Sequence, residues 1–353
     1  MDRRQVLKAG LTWPLAFASP AFAREPIFIA DMHFHLFLTG SFLGPNSRAL
    51  KPLARRMADG KATLVAWSLV GDLLWMRPTL RGLQQKGVPK PGEPLAWLQR
   101  ELGEIKTYIA AQNLKFVRTP ADVELALRGD PHVVLSVEGA SFADDDMSQI
   151  QTAYDLGIRH IQLVHYIRNS IGDFQTERPQ HNGLSEFGMK VVEECNRLGI
   201  LIDLAHCTET AVSQALAVSK TPMIWSHSSV TKGRKPHWSM PALQARQLSV
   251  EGARAIAAKG GVVGLWALRS DVGATVGAYA DRLTQMADWL GEDHVAFGTD
   301  MSALVAPVIA NFADLRRVVD YWERRQLSES RIRKLAIENY ARVLRQTLAA
   351  RQV

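Results

Sequence analysis

Seven side chains that could bind a metal ion or move a proton stand at the ends of apolar segments in this chain of 353 residues. His33 and His35 follow the apolar run 27–30, and five later runs end in the same way, at Glu138, His165, His206, His227 and Asp300. Imidazoles and carboxylates gathered at one place are the ligands that a borderline-soft divalent ion such as zinc prefers. This pattern is typical of metal-dependent hydrolases.

The pair His33 and His35 is the sharpest local signal. In a strand, residues i and i+2 lie on the same face, so both imidazoles can reach one ion. A single histidine at a strand end is more often a hydrogen-bonded polar residue than a ligand. The recurrence of such residues at the ends of six strands favours a common site.

The elements that must position these residues alternate between strands and helices. Strands are predicted at 27–31, 63–70, 132–138, 158–165, 200–206, 222–227, 261–267 and 295–300. Helical patterns lie between or after them, at 47–58, 94–112, 147–156, 184–197, 208–218, 250–258, 276–290 and 313–324, and a last helix covers 328–349. Eight such units imply a parallel sheet closed into a (β/α)8 TIM barrel, of the α/β class, with an extra C-terminal helix. The C-terminal ends of the strands then meet at one mouth.

Composition agrees with one large domain, predicted to span residues 24–353. Hydrophobic residues make up 47% of the chain, and the Pro- and Gly-containing stretches 77–94 and 232–241 are short enough to be loops near the barrel mouth. The formal net charge is +7. Because the basic residues alternate with acids along helices, they indicate solvated faces, and nucleic-acid binding is not expected.

Residues 1–23 are predicted to be an export signal rather than part of the fold. Asp2-Arg3-Arg4 opens a segment that resembles the twin-arginine motif, an apolar stretch follows at 9–18, and small residues end it at Ala21-Phe22-Ala23. The alternative is an ordinary basic N-terminus on a buried first helix. The signal predicts a periplasmic or secreted protein that uses the twin-arginine export machinery.

Four later segments resemble motifs of the membrane dipeptidase (renal dipeptidase) family, peptidase family M19. They are GLSEFG at 183–188, NRLGILIDLAH at 196–206, PMIWSHSS at 222–229 and VAFGTD at 295–300. The resemblance covers nearly the whole mature chain. It implies a binuclear zinc site in which His33 and His35 hold one ion, His206 and His227 hold the other, and Glu138 bridges both.

The resemblance also suggests roles for residues beside the metal. His165 resembles the family's histidine that stabilises the tetrahedral oxyanion, with a packing residue under the following loop as the alternative. Asp300 stands where a carboxylate can take a proton from the attacking hydroxide and deliver one to the leaving amine.

Three positions depart from the family pattern. The first-strand pair is His33-Phe34-His35 rather than His-x-Asp, which leaves the site one charge unit more positive. The family's carboxylate-binding arginine lies shortly before a proline, and counting back from Pro241 that place holds Trp238. Arg234, or another basic group on the loop 230–241, is therefore predicted to hold the substrate's carboxylate. Met301-Ser302-Ala303 follows Asp300, where the family often has Phe-Asp-Gly.

The function predicted from the resemblance is zinc-dependent hydrolysis of a dipeptide's amide bond through a metal-bridging hydroxide. A related binuclear amidohydrolase acting on another small amide, lactone or ester is the first alternative. A non-catalytic, metal-bound binding module is the second, and the presence of both Glu138 and Asp300 disfavours it. The substrate's side chains and stereochemistry, the native metal and the oligomeric state, a homodimer included, stay open.

Overall fold

Eight parallel strands form a closed barrel in the computed structural model, which describes residues 25–36, 52–80, 82–231, 245–304 and 306–352. The strands are β1 (Ile29–Phe34), β2 (Ala62–Val70), β3 (His132–Glu138), β4 (His160–Gln162), β5 (Leu201–Asp203), β6 (Ile224–Trp225), β7 (Val262–Leu265) and β8 (Val295–Phe297). Each strand pairs with the next in chain order. The barrel closes where Asp300 N–H donates to the His33 carbonyl at 3.0 Å and His35 N–H donates to the Met301 carbonyl at 2.9 Å. The predicted TIM barrel is confirmed.

The strands are buried on both faces. Every residue of β1, β2 and β3 is buried, as expected for parallel strands covered by helices outside and by side chains inside. The first strand runs three residues further than the predicted end at Asp31. The strand can continue past Asp31 although this residue is charged, because the buried Asp31 carboxylate accepts hydrogen bonds from Thr299 on the neighbouring segment.

Helices surround the barrel and begin at well-defined caps. Their bounds are α1 (Leu53–Gly60), α2 (Glu93–Ala110), α3 (Pro120–Leu127), α4 (Ser148–Asp155), α5 (Glu186–Leu198), α6 (Glu209–Val218), α7 (Val250–Ala258), α8 (Arg269–Val272), α9 (Val276–Leu290), α10 (Phe312–Arg324), α11 (Glu329–Arg333) and α12 (Asn339–Ala349). A side-chain oxygen accepts a backbone N–H of the first turn at Ser185, Thr208, Ser249, Thr275, Asn311 and Ser328. Most predicted helices agree with these bounds to within two residues, but residues 47–51 lie outside the described part.

Several elements differ from the prediction. The unpredicted elements include the short helix α8, a two-residue strand, Lys115–Phe116, that pairs in parallel with β3, and the parallel strand pair Val230–Thr231 with Leu248–Ser249. Helix α3 was not predicted, although Thr119 and Asp122 form a capping box around Pro120 at its start. The predicted loop 77–94 contains a two-stranded antiparallel hairpin, Met76–Thr79 with Gly82–Gln85. The predicted single helix 328–349 is divided by a π-helical turn, Lys334–Glu338. Asn339 follows this turn and donates hydrogen bonds to the carbonyls of Glu292 and Val295, which ties the C-terminal helices to the start of β8.

Two predicted segments cannot be compared with the structure. The predicted signal, residues 1–23, and the loop 232–241 with Arg234 lie outside the described residues. Among the residues that are described, no helix combines the length and the apolar character needed to cross a membrane.

Two glycines allow β6, β7 and β8 to approach closely beneath the mouth. A methyl group on Gly298 would lie 1.6 Å from the carbonyl oxygen of Ser226, and one on Gly264 would lie 1.9 Å from the same atom. Neither separation is compatible with van der Waals contact. Backbone would therefore have to move to admit any side chain, and Ser226 directly precedes His227.

We expect Gly298→Ala to destabilise the protein by about 1 to 3 kcal/mol or more, the usual effect of overpacking. The apparent midpoint of thermal unfolding is the measurement. Gly103→Ala is the matched control, because a methyl group there meets nothing within 4 Å in helix α2 and is expected to stabilise by about 0.5 to 1 kcal/mol. Equal midpoints for the two variants would contradict the close approach.

Candidate metal centre

The barrel mouth brings together every predicted site residue that the structure describes. The buried set is His33, His35, Glu138, His165, His206, His227 and Asp300. Each comes from the end of a different strand or the segment after it, apart from His33 on β1 and His35 directly after it, which share one strand end. Local alternation explains only that pair, so the other contacts depend on closure of the barrel.

The carboxylate of Glu138 lies at the centre of this cluster. Its Oε1 atom lies 3.4 to 3.6 Å from the Nε2 atoms of four imidazoles, those of His33, His165, His206 and His227. Its Oε2 atom lies 3.6 Å from His35 Nε2. Burial alone would raise the pKa of Glu138, but the neighbouring His165 and His33 hold that pKa well below its ordinary value. Glu138 is therefore an ionised carboxylate shared by both histidine pairs.

Within each histidine pair, the two Nε2 atoms face each other. The Nε2 atoms of His33 and His35 are 3.1 Å apart, and those of His206 and His227 are 3.2 Å apart. His35 Nδ1 donates to the carbonyl of Ser68 at 2.8 Å, so its Nε2 atom is directed into the cluster. Facing lone pairs repel unless a proton or a cation lies beside them.

The hydroxyl of Ser226 contacts the Nδ1 atom of one ring in each histidine pair. Ser226 Oγ lies 2.9 Å from His227 Nδ1 and 3.3 Å from His33 Nδ1. An oxygen can accept two N–H groups, and if it does so both Nε2 atoms are free to bind an ion. The geometry therefore connects the orientation of one ring from each pair.

Charge and burial keep the second pair neutral. Burial first, and the positive charge of Arg246 second, hold the pKa of His206 well below its ordinary value. Burial, His33 and Arg246 do the same to the pKa of His227. Neutral imidazole is the form that binds metal ions, so this environment suits ligands.

His35 stands in a different environment. Burial opposes its protonation, but a hydrogen bond with Asp300 and the charge of Glu138 outweigh burial and raise the pKa of His35. The Asp300 Oδ1 atom lies 3.2 Å from His35 Nε2 and 4.0 Å from His33 Nε2. Asp300 thus lies beside the first pair, where a proton can be exchanged with a group held there.

Two site residues have a left-handed backbone. His206 has φ +71° and Asp300 has φ +54°, and neither is glycine. Such conformations cost on the order of 1 kcal/mol or more and are concentrated at functional sites. At both positions the strand has just ended, and the turn directs the side chain into the mouth.

Sequence reasoning missed two buried aspartates that hold the site residues in place. Asp31 Oδ1 accepts the backbone N–H of His33 at 3.2 Å and of Thr299 at 3.0 Å. Asp203 Oδ1 accepts the backbone N–H of Ala205 and of Ser226, both at 2.9 Å. The first aspartate joins the segments of His33 and Asp300, and the second joins those of His206 and His227.

Sequence reasoning also missed Arg246, which is 1% exposed and lies in the site. Its Nη2 donates to His227 Nε2 at 3.0 Å and its Nη1 donates to Gln175 Oε1 at 2.6 Å. No carboxylate of the described residues forms an ion pair with it. Arg246 lies five residues beyond the loop 230–241, and its only signal in the sequence is a basic residue shortly before Ser249, the cap of α7. Arg234 itself is not among the described residues.

A model of the membrane dipeptidase family, peptidase family M19, matches residues 55–353. This chain belongs to the membrane dipeptidase family. The family predicted from the four motifs is therefore confirmed. Dipeptidase verJ of Clonostachys rogersoniana is 28% identical over 261 residues, which cover 71% of this chain but 65% of that relative. The match thus spans slightly less than two thirds of verJ.

Two solved structures are similar to this chain over 92% of its length. Dipeptidase AC, a metallopeptidase of family M19, has a TM-score of 0.74 and 23% identity, covering 92% of this chain and 99% of that one. A metallopeptidase from Rhodobacter sphaeroides, solved with a phosphinate mimic of the dipeptide L-Ala-D-Ala, has a TM-score of 0.74 and 22% identity, covering 92% and 100%. Both comparisons show the same fold.

The donor atoms fit the metal that the family implies. Within the described ranges, three groups place one ligand atom per residue within 4.8 Å of one another: His33 with His35 and Glu138, Glu138 with His206 and His227, and His33 with His227 and Asp300. All donors are imidazole nitrogens or carboxylate oxygens, which suit zinc and related divalent ions. Binding at His227 Nε2 would release Arg246 Nη2 from its hydrogen bond.

We expect Ser226→Ala to lower the affinity for the metal by about 10- to 100-fold, because loss of an outer-shell partner loosens the ligand rings. Competition with a chelator measures that affinity. Ser228→Ala is the matched control, since its hydroxyl donates to the Ser229 carbonyl instead. Metal affinities equal to that of the wild type in both variants would contradict the orienting role of the Ser226 hydroxyl.

Proposed function

We propose that this protein is a zinc-dependent dipeptidase that hydrolyses the amide bond of a small peptide. The observation that carries the proposal is one ionised carboxylate, Glu138, enclosed by two histidine pairs with their Nε2 atoms directed inward. Membership of the dipeptidase family supports the reaction class. The buried Arg246 supports an anionic substrate.

Two zinc ions would be held by separate halves of the cluster. His33 and His35 would bind one, His206 and His227 the other, and the oxygens of Glu138 lie close enough to both pairs to serve each. When bound, such ions would supply a hydroxide nucleophile at neutral pH and would polarise a carbonyl group. The protein's own residues then bind the substrate and move protons.

Asp300 is the proton carrier in this proposal. Its carboxylate lies beside the first histidine pair, and 7% exposure leaves it open to the mouth while excluding most water. A carboxylate there can accept the nucleophile's proton and return one to the leaving amine. His165 lies across the cluster, with Nε2 3.4 Å from Glu138 Oε1, and is the candidate to stabilise the oxyanion.

Arg246 is the candidate for binding the substrate's carboxylate. Among the described residues, the buried guanidinium of Arg246 donates to a histidine and to a glutamine amide and forms no ion pair with a carboxylate. Such a group gains most from an anionic ligand, because charge-assisted hydrogen bonds strengthen when water is excluded. Arg234, on the loop outside the described residues, stays a prediction for the same role.

The direct test is turnover of a dipeptide panel, including both stereoisomers at each position, by protein reconstituted with zinc. We expect release of free amino acids that stops when zinc is removed by a chelator. Hydrolysis of small lactones, esters or other amides without dipeptide cleavage would favour the amidohydrolase alternative, and His35 in place of the family's aspartate gives that alternative a specific basis. Metal binding without any turnover would favour the binding module.

We expect Asp300→Asn to lower kcat by roughly 100-fold or more, the usual contribution of a general acid/base. The amide occupies the same space but cannot accept the proton. The metal content, measured on the same preparation, should match the wild type. Asp320→Asn on the outer helix α10 is the control for the substitution itself. Near-normal turnover in Asp300→Asn would show that another group carries the proton.

Arg246→Ala should raise KM for dipeptides by an amount that corresponds to about 1.5 to 3 kcal/mol, the contribution of a hydrogen bond to a charged group. A dipeptide with a C-terminal amide provides the control substrate. Wild-type enzyme should prefer the free carboxylate, and the variant should lose that preference. If Arg234→Ala loses the preference and Arg246→Ala keeps it, the carboxylate binds on the loop instead.

A further inference from the structure

A buried carboxylate outside the candidate ligand groups contacts His165, one of the site residues. Asp72 follows the end of β2 and is 0% exposed. It belongs to none of the three metal-ligand groups found in the described part of the chain. The proposed roles of Glu138, Asp300 and Arg246 leave it unused, so its contacts need a separate explanation.

Both oxygens of Asp72 are occupied by residues of one short segment. Oδ1 accepts the N–H of His165 Nδ1 at 2.6 Å. Oδ2 accepts the backbone N–H groups of Tyr166 at 3.0 Å and Ile167 at 3.1 Å. The two backbone bonds fix the carboxylate independently of the ring. The direction of the ring therefore follows from the carboxylate rather than the reverse.

The backbone after β3 encloses this pair. Gly139 has φ +86°, and a methyl group on it would lie 3.0 Å from His165 Cβ and 3.7 Å from Asp72 Oδ2. The ring itself packs edge-on against the rings of Tyr166 and His206, with centroids 4.5 Å apart in each case, and these contacts limit its rotation away from the carboxylate. With its Nδ1 directed at Asp72, its Nε2 lies 3.4 Å from Glu138 Oε1, on the side of the candidate metal groups.

We propose that Asp72 is a positioning residue, which accepts a hydrogen bond from His165 Nδ1–H and so directs Nε2 of the ring at the reacting centre. This inference rests on the proposed hydrolase function, in which His165 acts on the substrate. A carboxylate that only anchored the loop after β4 would need the two backbone bonds and not the third. The short bond to the ring is the feature that a purely structural role does not explain.

The state of the ring can be measured in the intact wild-type protein. Nitrogen-15 NMR of histidine-labelled protein distinguishes a hydrogen on Nδ1 from one on Nε2, and a His165→Gln sample assigns the signal. We expect His165 to carry a hydrogen on Nδ1 in both the zinc-free and the zinc-loaded protein. A neutral ring with its hydrogen on Nε2 alone would overturn the proposal, whatever the substrate is.

Asp72→Asn tests the consequence for catalysis. Asparagine offers one acceptor oxygen, and if that oxygen keeps the two backbone N–H groups, its amide NH2 faces His165 Nδ1 and cannot accept the ring N–H, so the ring loses the bond that orients it. We expect kcat to fall by about 10- to 100-fold, as is usual when a histidine loses its orienting partner, with KM and metal content little changed. Loss of metal, or an unchanged kcat, would contradict the positioning role.

A double-mutant cycle separates action through His165 from general damage. In a His165→Gln background, Asp72→Asn should cause no further loss of kcat, because the residue on which it acts is gone. An additional loss equal to that in the wild-type background would overturn the proposal. Asp122→Asn is the matched control, since that carboxylate also accepts two backbone N–H groups, at the start of α3, with no ring partner in the site.

Failure of the proposed function has a different signature. If wild-type protein hydrolyses no member of the substrate panel, the dipeptidase proposal fails, while the NMR result still decides whether His165 Nδ1 carries a hydrogen. If the wild type is active and the cycle is additive, the function stands and Asp72 is structural.

Discussion

The ionised carboxylate of Glu138 at the bottom of a water-poor mouth is the interaction on which the rest of the site depends. An isolated buried carboxylate would cost several kcal/mol and would instead become protonated. Here Nε2 atoms approach both of its oxygens from five imidazoles, and the positive charge that they or a bound cation carry stabilises the ionised form. The fold must therefore hold these rings at fixed positions, because a displaced ring would leave buried charge without compensation.

The barrel achieves this through backbone hydrogen bonds to buried carboxylates. Asp31 and Asp203 each accept N–H groups from two neighbouring strand ends, and those ends are the ones that carry site residues. Close packing at Gly298 and Gly264 holds the Ser226 segment against β7 and β8. The left-handed conformations of His206 and Asp300 are tolerated because the surrounding hydrogen bonds determine the chain path at both ends. Rigid strand ends, rather than mobile loops, thus set the positions of the rings.

The sequence predicted the fold and most of the cluster, because both depend on regular patterns. Apolar strand segments ending in metal-type side chains could be aligned at one mouth without knowing any contact. This reasoning could not find four other residues of the site, which are Arg246, Asp72 and the two aspartates that join strand ends, Asp31 and Asp203. Their importance comes from partners far away in the chain, such as His165 for Asp72 and Gln175 for Arg246. Helix α3 is different, since the capping box of Thr119 and Asp122 at its start is visible in the sequence.

The central claim is that Glu138 and the two histidine pairs hold two metal ions. Its most direct test is the zinc content of the purified protein after equilibration with zinc, together with the positions of the ions by anomalous diffraction. The account predicts two zinc ions per chain, one beside His33 and His35 and one beside His206 and His227, with Glu138 in contact with both. A protein that binds no zinc, or one ion remote from Glu138, would contradict it.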